Sequence, residues 1–181
     1  IQGNGLKKAD SLLRIIENTD IGRKSLEAKY IRKQIDIKES LAIGKQAPDF
    51  AQKDTAGNEI TLASFRGKYV LLDFWAKWCG PCRAENHNLA NLYNKYKSKG
   101  FSILSVSLDD NKKDWVKAIH EDNLTWTQLS DLKGWDNVVA KQYAVGFIPY
   151  NYLISPQGKI IAVNLKGDEL FRKLKEIYSL N

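Results

Sequence analysis

The apolar positions at the start of the chain recur at helical spacing. Leu6, Ala9, Leu13 and Ile16 form one stripe, and Leu26, Tyr30, Ile31 and Ile35 form a second. Asn18-Thr19-Asp20 and Gly22 separate them, which predicts a helical hairpin or two loosely joined helices. Gly44-Lys45-Gln46-Ala47-Pro48 ends this texture, because Pro48 pushes Ala47 out of helical backbone. The predicted division is a helical segment over 1–43 and a second domain over 44–181. At its start, Phe50–Lys53 and Ile60–Leu62 flank the turn signal Thr55-Ala56-Gly57-Asn58, the pattern of a short hairpin.

Tyr69–Trp75 is almost continuously apolar and predicts a strand buried on both faces. Leu89, Leu92, Tyr93 and Tyr96 then mark a helix that stops at Gly100. Phe101–Leu108 mixes apolar residues with Ser and reads as the next strand. Strand, helix, strand in this order implies a parallel pair with a right-handed crossover. Helices follow over Lys112–Glu121, with Trp115, Val116 and Ile119 inward, and over Asp136–Tyr143, with Val138, Val139 and Tyr143 inward. Tyr150–Ile154 and Lys159–Val163 flank Ser155-Pro156-Gln157-Gly158 as a hairpin. A last helix over Asp168–Tyr178 would turn Leu170, Phe171, Leu174 and Ile177 inward.

Composition narrows the function classes. With 43% hydrophobic and 27% charged residues the chain is of globular type, which excludes disorder as its main state. No apolar run is long enough for a transmembrane helix. The net charge of +7 divides into +3 over residues 1–44 and +4 over the rest, with no dense basic block. A solvated mixed-charge surface accounts for it, and nucleic acid is not expected as a partner. The chain starts at Ile1 and contains no Met, so a processed protein or a fragment is expected.

Both cysteines fall in Trp78-Cys79-Gly80-Pro81-Cys82, directly after the buried strand and at the start of a helix. Thiols at this spacing lie one turn apart and can close a disulfide. At the helix N-terminus, free N–H groups and the helix dipole favour a thiolate at Cys79. Cys79 would attack a substrate disulfide, and the deeper Cys82 would resolve the mixed disulfide. Zinc needs two more ligands, and the remaining candidates, His87 and His120, lack finger-like spacing. Covalent haem needs His after the second Cys, where Arg83 stands. No cofactor beyond the redox-active Cys79–Cys82 disulfide is expected.

Leu72-Asp73-Phe74-Trp75-Ala76-Lys77-Trp78-Cys79-Gly80-Pro81-Cys82 resembles the active-site segment of thioredoxins. Over residues 44–181 the chain is similar to the TlpA/ResA group of thiol-disulfide oxidoreductases in the AhpC/TSA-redoxin superfamily, of the Bacteroides type. Gly44–Phe50, the Gly57 hairpin, Phe65-Arg66-Gly67-Lys68, Val106-Ser107-Leu108-Asp109 and Ile148-Pro149 carry that likeness. The resemblance implies an α/β, thioredoxin-like fold, with a central mixed β-sheet flanked by helices and a hairpin extension in front. It implies a cis Pro149 facing the cysteine pair, with the Ile148 backbone free to pair with a substrate strand. Trp78, Gly80 and Pro81 would join these two in substrate binding. Asp73 matches the buried acid of thioredoxins, and its raised pKa would let it take the Cys82 proton. Glu85, one turn after Cys82, matches an active-site Glu of the group. His87 replaces the family's helix-kinking Pro and reads as an exposed helical residue, while Asn151 and Ser155 also depart from the pattern and put substrate preference in question.

The function so implied is reduction of disulfides in exported proteins. The Gly-Pro dipeptide resembles that of reducing thioredoxins, which sit near about −270 mV. The periplasm or cell envelope is the expected location, with a leader or lipid anchor removed, and a membrane or periplasmic electron donor is the expected partner. A peroxiredoxin-like peroxidase is the first alternative, weakened by Ala76 where Thr or Ser is usual. A thioredoxin-fold binding module is the second, weakened by the intact cysteines.

Overall fold

Residues 2–179 are described by the computed structural model, in two units, one ending at Ala42 and the other beginning at Ile43. The first unit is helical: α1 (Gln2–Glu17), α2 (Asp20–Lys24) and α3 (Leu26–Ser40). The expected break between two helices contains a helix of its own. Thr19 caps α2 by accepting from Gly22 N at 3.0 Å, and Ser25 caps α3 by accepting from Ala28 N at 3.1 Å. Gly22 is demanded by close approach, since a Cβ there would lie 1.9 Å from the Ile16 carbonyl oxygen.

The seam between α1 and α3 is narrow. Leu13, Ala28 and Ile35 are buried, with Leu6 packed beside them. Ile16, Leu26, Tyr30 and Ile31, expected inward, are exposed instead. Two helices facing each other cover one line of side chains apiece, and here that line runs through Leu6 and Leu13 on α1 and Ala28 and Ile35 on α3. Arg32 of α3 reinforces it, donating to Asp10 and to both Glu17 oxygens of α1. The guanidinium holds both carboxyls below their ordinary range.

The second unit opens with the hairpin of β1 (Ala51–Lys53) and β2 (Glu59–Thr61). Its main sheet comprises β3 (Tyr69–Trp75), β4 (Phe101–Ser107), β5 (Thr127–Leu129), β6 (Tyr150–Ile154) and β7 (Ile160–Val163). The spatial order is β5-β4-β3-β6-β7. β3, β4 and β5 run parallel, β6 pairs antiparallel with β3, and β7 pairs antiparallel with β6, so the sheet is mixed. The helices α4 (Gly80–Tyr96), α5 (Lys112–Glu121), α6 (Val138–Gln142) and α7 (Gly167–Ser179) accompany it. Three-residue β5 is the strand that periodicity missed, being too short to show a period.

Every residue of β4 is buried, its serines included. One face of β3 and β6 is lined by an aromatic cluster in which Tyr143 meets Phe50, Phe74 and Tyr152 at centroid distances of 5.2–6.0 Å. The helix expected over Asp136–Tyr143 is split by Asn137, which leaves the helical conformation and caps α6 by accepting from Ala140 N at 3.0 Å. That shift in start exposes Val138, which periodicity had turned inward. Phe171 also stays at the surface, on the flank of α7, beneath the Lys95 ammonium at 4.8 Å.

Candidate active site

The cysteines are delivered by the junction of β3 and α4. After Trp75 the chain leaves the sheet, and Cys79 becomes the N-cap of α4, its Sγ accepting from Cys82 N at 3.2 Å. Pro81 falls in the first turn, where its missing N–H costs nothing. Cys79 and Cys82 are joined as a disulfide with Cα atoms 5.2 Å apart. Both are buried, Cys79 at 6% exposure and Cys82 at 1%, so Cys79 is the outer sulfur. Gly80 and Pro81 are exposed beside it. Trp78 is exposed too, its ring centroid 6.1 Å from that of Trp135.

The Ile148–Pro149 peptide is cis. Phe74 pairs with Tyr150, so the cis peptide enters the sheet at the same end from which β3 sends out the Cys79 loop. Ile148 and Pro149 are half-buried at that end.

Two anchors on the cysteine loop escaped the sequence reading. Asp109, at the end of β4, accepts from Lys77 N at 3.0 and 3.1 Å and from the Ser107 hydroxyl at 2.8 Å. Burial pushes its carboxyl above the ordinary value. The second anchor lies just past Cys82, where Arg83 donates to Asp122 at 2.7 Å and to Glu121 at 3.0 Å. Asn86 joins Asp122 at 2.8 Å. Burial would raise Asp122, but these donors prevail and hold it below its ordinary value. The first turn of α4 is thereby tied to the end of α5. The available signal for Asp109 was positional, since parallel strands end side by side.

Asp73 lies in the middle of β3 at 3% exposure. Strand register aligns it with Ser105 of β4 on one side and Asn151 of β6 on the other, and Gln128 of β5 continues the row. All four are buried, forming a polar belt across the sheet. Ser105 donates to Asp73 Oδ2 at 3.2 Å, and Gln128 accepts from Trp75 Nε1 at 3.1 Å. Burial pushes the Asp73 carboxyl up to about 7; the Ser105 hydrogen bond opposes it, Glu85 adds to it and Lys166 opposes it.

Glu85 is not simply a solvated helix-start acid. It accepts from Gly167 N at 2.9 Å at the start of α7, and its other oxygen accepts from Asn88 at 2.9 Å. Asn151 clamps the same segment, donating to Leu165 O at 2.7 Å and accepting from Leu165 N at 3.0 Å. The departure at this position therefore builds the segment carrying Lys166. Ser155 accepts from Lys159 N at 3.2 Å within the β6–β7 turn. His87 is exposed, its ring N–H donating to Arg83 O at 3.1 Å. Among the described residues no group of three His, Cys, Asp or Glu is placed to hold a metal ion.

The AhpC/TSA family matches residues 43–163, which include the hairpin, the cysteine loop, the cis peptide and the polar belt. The chain belongs to this family. Among curated members it is similar to the thiol-disulfide oxidoreductase ResA of Bacillus thuringiensis subsp. konkukian, with 35% identity over 138 residues, or 76% of this chain and 78% of that one. ResA of Bacillus subtilis is 35% identical over 126 residues, covering 70% of this chain and 69% of its own length. Among solved structures, the thioredoxin domain of a thiol-disulfide oxidoreductase from Bacteroides vulgatus superposes with a TM-score of 0.71 at 41% identity, over 76% of this chain and 99% of that domain. A thiol-disulfide oxidoreductase from Bacteroides fragilis does so with a TM-score of 0.69 at 41% identity, over 74% and 99% of the two chains. The second unit is thus a thioredoxin-like α/β domain of the AhpC/TSA family, similar to thiol-disulfide oxidoreductases.

Proposed function

We propose that this AhpC/TSA-family protein is a thiol-disulfide oxidoreductase that reduces disulfides of exported proteins in the cell envelope. The observation that carries the reading is the Cys79–Cys82 disulfide at the head of α4, delivered by β3, the strand that also holds the buried acid Asp73. In the reduced protein, the Cys79 thiolate attacks one sulfur of the substrate disulfide. A mixed disulfide forms, and the other substrate sulfur leaves as a thiolate and takes up a proton. The Cys82 thiol passes its proton to the Asp73 carboxylate and attacks the Cys79 sulfur. The Cys79–Cys82 bond closes, the second substrate sulfur leaves as a thiolate, and two electrons have passed to the substrate.

Asp73 suits this duty because a carboxyl held near neutrality exchanges protons readily at the pH of the reaction. Glu85 acts beside it, raising Asp73 by its own charge. Trp78, Gly80 and Pro81 form the exposed apron around the outer sulfur, and the Ile148–Pro149 edge presents backbone to an extended substrate segment. A membrane or envelope dithiol protein would return the electrons, since an oxidising compartment does not supply them. Insulin disulfide reduction with dithiothreitol as donor tests the reading. Cys79→Ser should lower the rate to background, and Cys82→Ser should accumulate mixed disulfides. Full activity in Cys79→Ser overturns the mechanism, and rapid peroxide turnover without a disulfide substrate would move the assignment to a peroxidase.

A further inference from the structure

The polar belt continues beyond Ser105 to a residue the mechanism has not used. Trp126 precedes β5 and is buried, and its ring meets Tyr93 of α4 edge-on with centroids 5.6 Å apart. Its Nε1–H donates to Ser105 Oγ at 2.8 Å. An indole N–H only donates, and a serine hydroxyl carries one proton. With Trp126 on one lone pair of Ser105, the hydroxyl proton is directed to its other partner, Asp73 Oδ2. The three side chains therefore form a chain of fixed direction, from indole to hydroxyl to carboxylate.

We propose that Trp126 and Ser105 are a positioning pair for Asp73: the indole sets the direction of the hydroxyl, and the hydroxyl favours the ionised carboxylate. Its catalytic consequence rests on the role of proton acceptor proposed for Asp73 above. Burial and the Glu85 carboxylate of α4 favour the neutral acid, while Ser105 of β4 and Lys166, in the segment before α7, favour the charged form. Asn151 of β6, the other neighbour in the belt, is turned to the Leu165 backbone. Without the hydroxyl, burial prevails further, and Asp73 stays protonated at the pH where it must receive the Cys82 proton. The pair thus lowers the pH at which the buried acid becomes a usable base.

The test is a carboxyl carbon NMR titration of Asp73 in the whole chain with the disulfide closed, so that neither cysteine titrates. Ser105→Ala should raise the proton-binding constant of Asp73 about tenfold, the size expected for losing a hydrogen bond to a charged group. Ser105→Thr should restore it, and Trp126→Phe should raise it by a smaller factor. In the unaltered protein the Trp126 indole N–H resonance should move with the same midpoint as Asp73, a reading independent of whether any variant folds. An indole signal that is flat through that titration overturns the proposal, as does an unmoved midpoint in folded Ser105→Ala. In the insulin assay, Ser105→Ala should shift the acidic limb of the rate profile upward. A uniform loss at every pH overturns the catalytic consequence. If the unaltered protein reduces no insulin while the indole still tracks Asp73, the reductase reading fails and the hydrogen-bond chain stands.

Discussion

The helical unit and the thioredoxin-like unit solve the problem of burial in different ways. The first rests on Leu13, Ala28 and Ile35, a flanking Leu6 and the Arg32 ion pairs, and it leaves Leu12, Ile15, Ile16, Ile21, Leu26, Tyr30 and Ile31 exposed. The second buries both faces of β3 and β4, and covers a row of polar side chains that includes an acid. A thick core can hold a group such as Asp73 away from water, and a two-helix seam cannot. The acid proposed above as proton acceptor accordingly lies in the second unit, where burial is deep enough to raise its carboxyl.

The comparison can be broken at its strongest point through pH. Between the ordinary carboxylate value of 3.8 and about 7, folded Asp73 holds a proton that the unfolded chain has released. Stability contributed by this group is therefore complete below 3.8, falls as pH rises through that window, and is level above it. Asp73→Asn should remove this slope and stabilise the second unit above neutral pH by on the order of 4 kcal/mol. Urea unfolding at pH 4.5 and pH 8, followed by tryptophan fluorescence, checks the sign. All five tryptophans lie beyond residue 43, so the signal reports that unit alone.

A smaller effect sharpens the contrast from the other side. Ile35→Ala should cost about 2–3 kcal/mol in the helical unit. Its thermal unfolding should lose helical circular dichroism early while the tryptophan transition stays in place. A tryptophan transition that moves equally would mean the two units unfold together. The smallest effect is expected at Arg32. Arg32→Met should lower the helical transition slightly at low salt, and the difference should shrink toward 1 M salt, where charges are screened within about 3 Å.

Legibility in the sequence followed physical range. Tyr69–Trp75 was readable because a doubly buried strand must be apolar throughout, and the helix start at Cys79-Gly80-Pro81 because capping is a local matter. Asp73 stood out as the one acid in that apolar run. Its company did not. Ser105 looked like part of an alternating strand and Asn151 like a departure from family pattern, because only strand pairing brings Gln128, Ser105 and Asn151 into line with it. In the helical unit the periodic stripes were real, yet spacing alone does not say how many apolar rows a partner helix will cover.

The chain's own order of residues was thus sufficient for the longer elements and the dithiol, which follow from periodicity, caps and a local motif, while the mixed sheet was implied by family resemblance and the short α2 and β5 escaped. Which acid is tuned, by what, and which strand ends anchor the cysteine loop depended on side chains from distant segments meeting in a low-dielectric interior. Asp73, Ser105 and Trp126 are far apart along the chain, and their hydrogen bonds exist only once β3, β4 and β5 lie side by side.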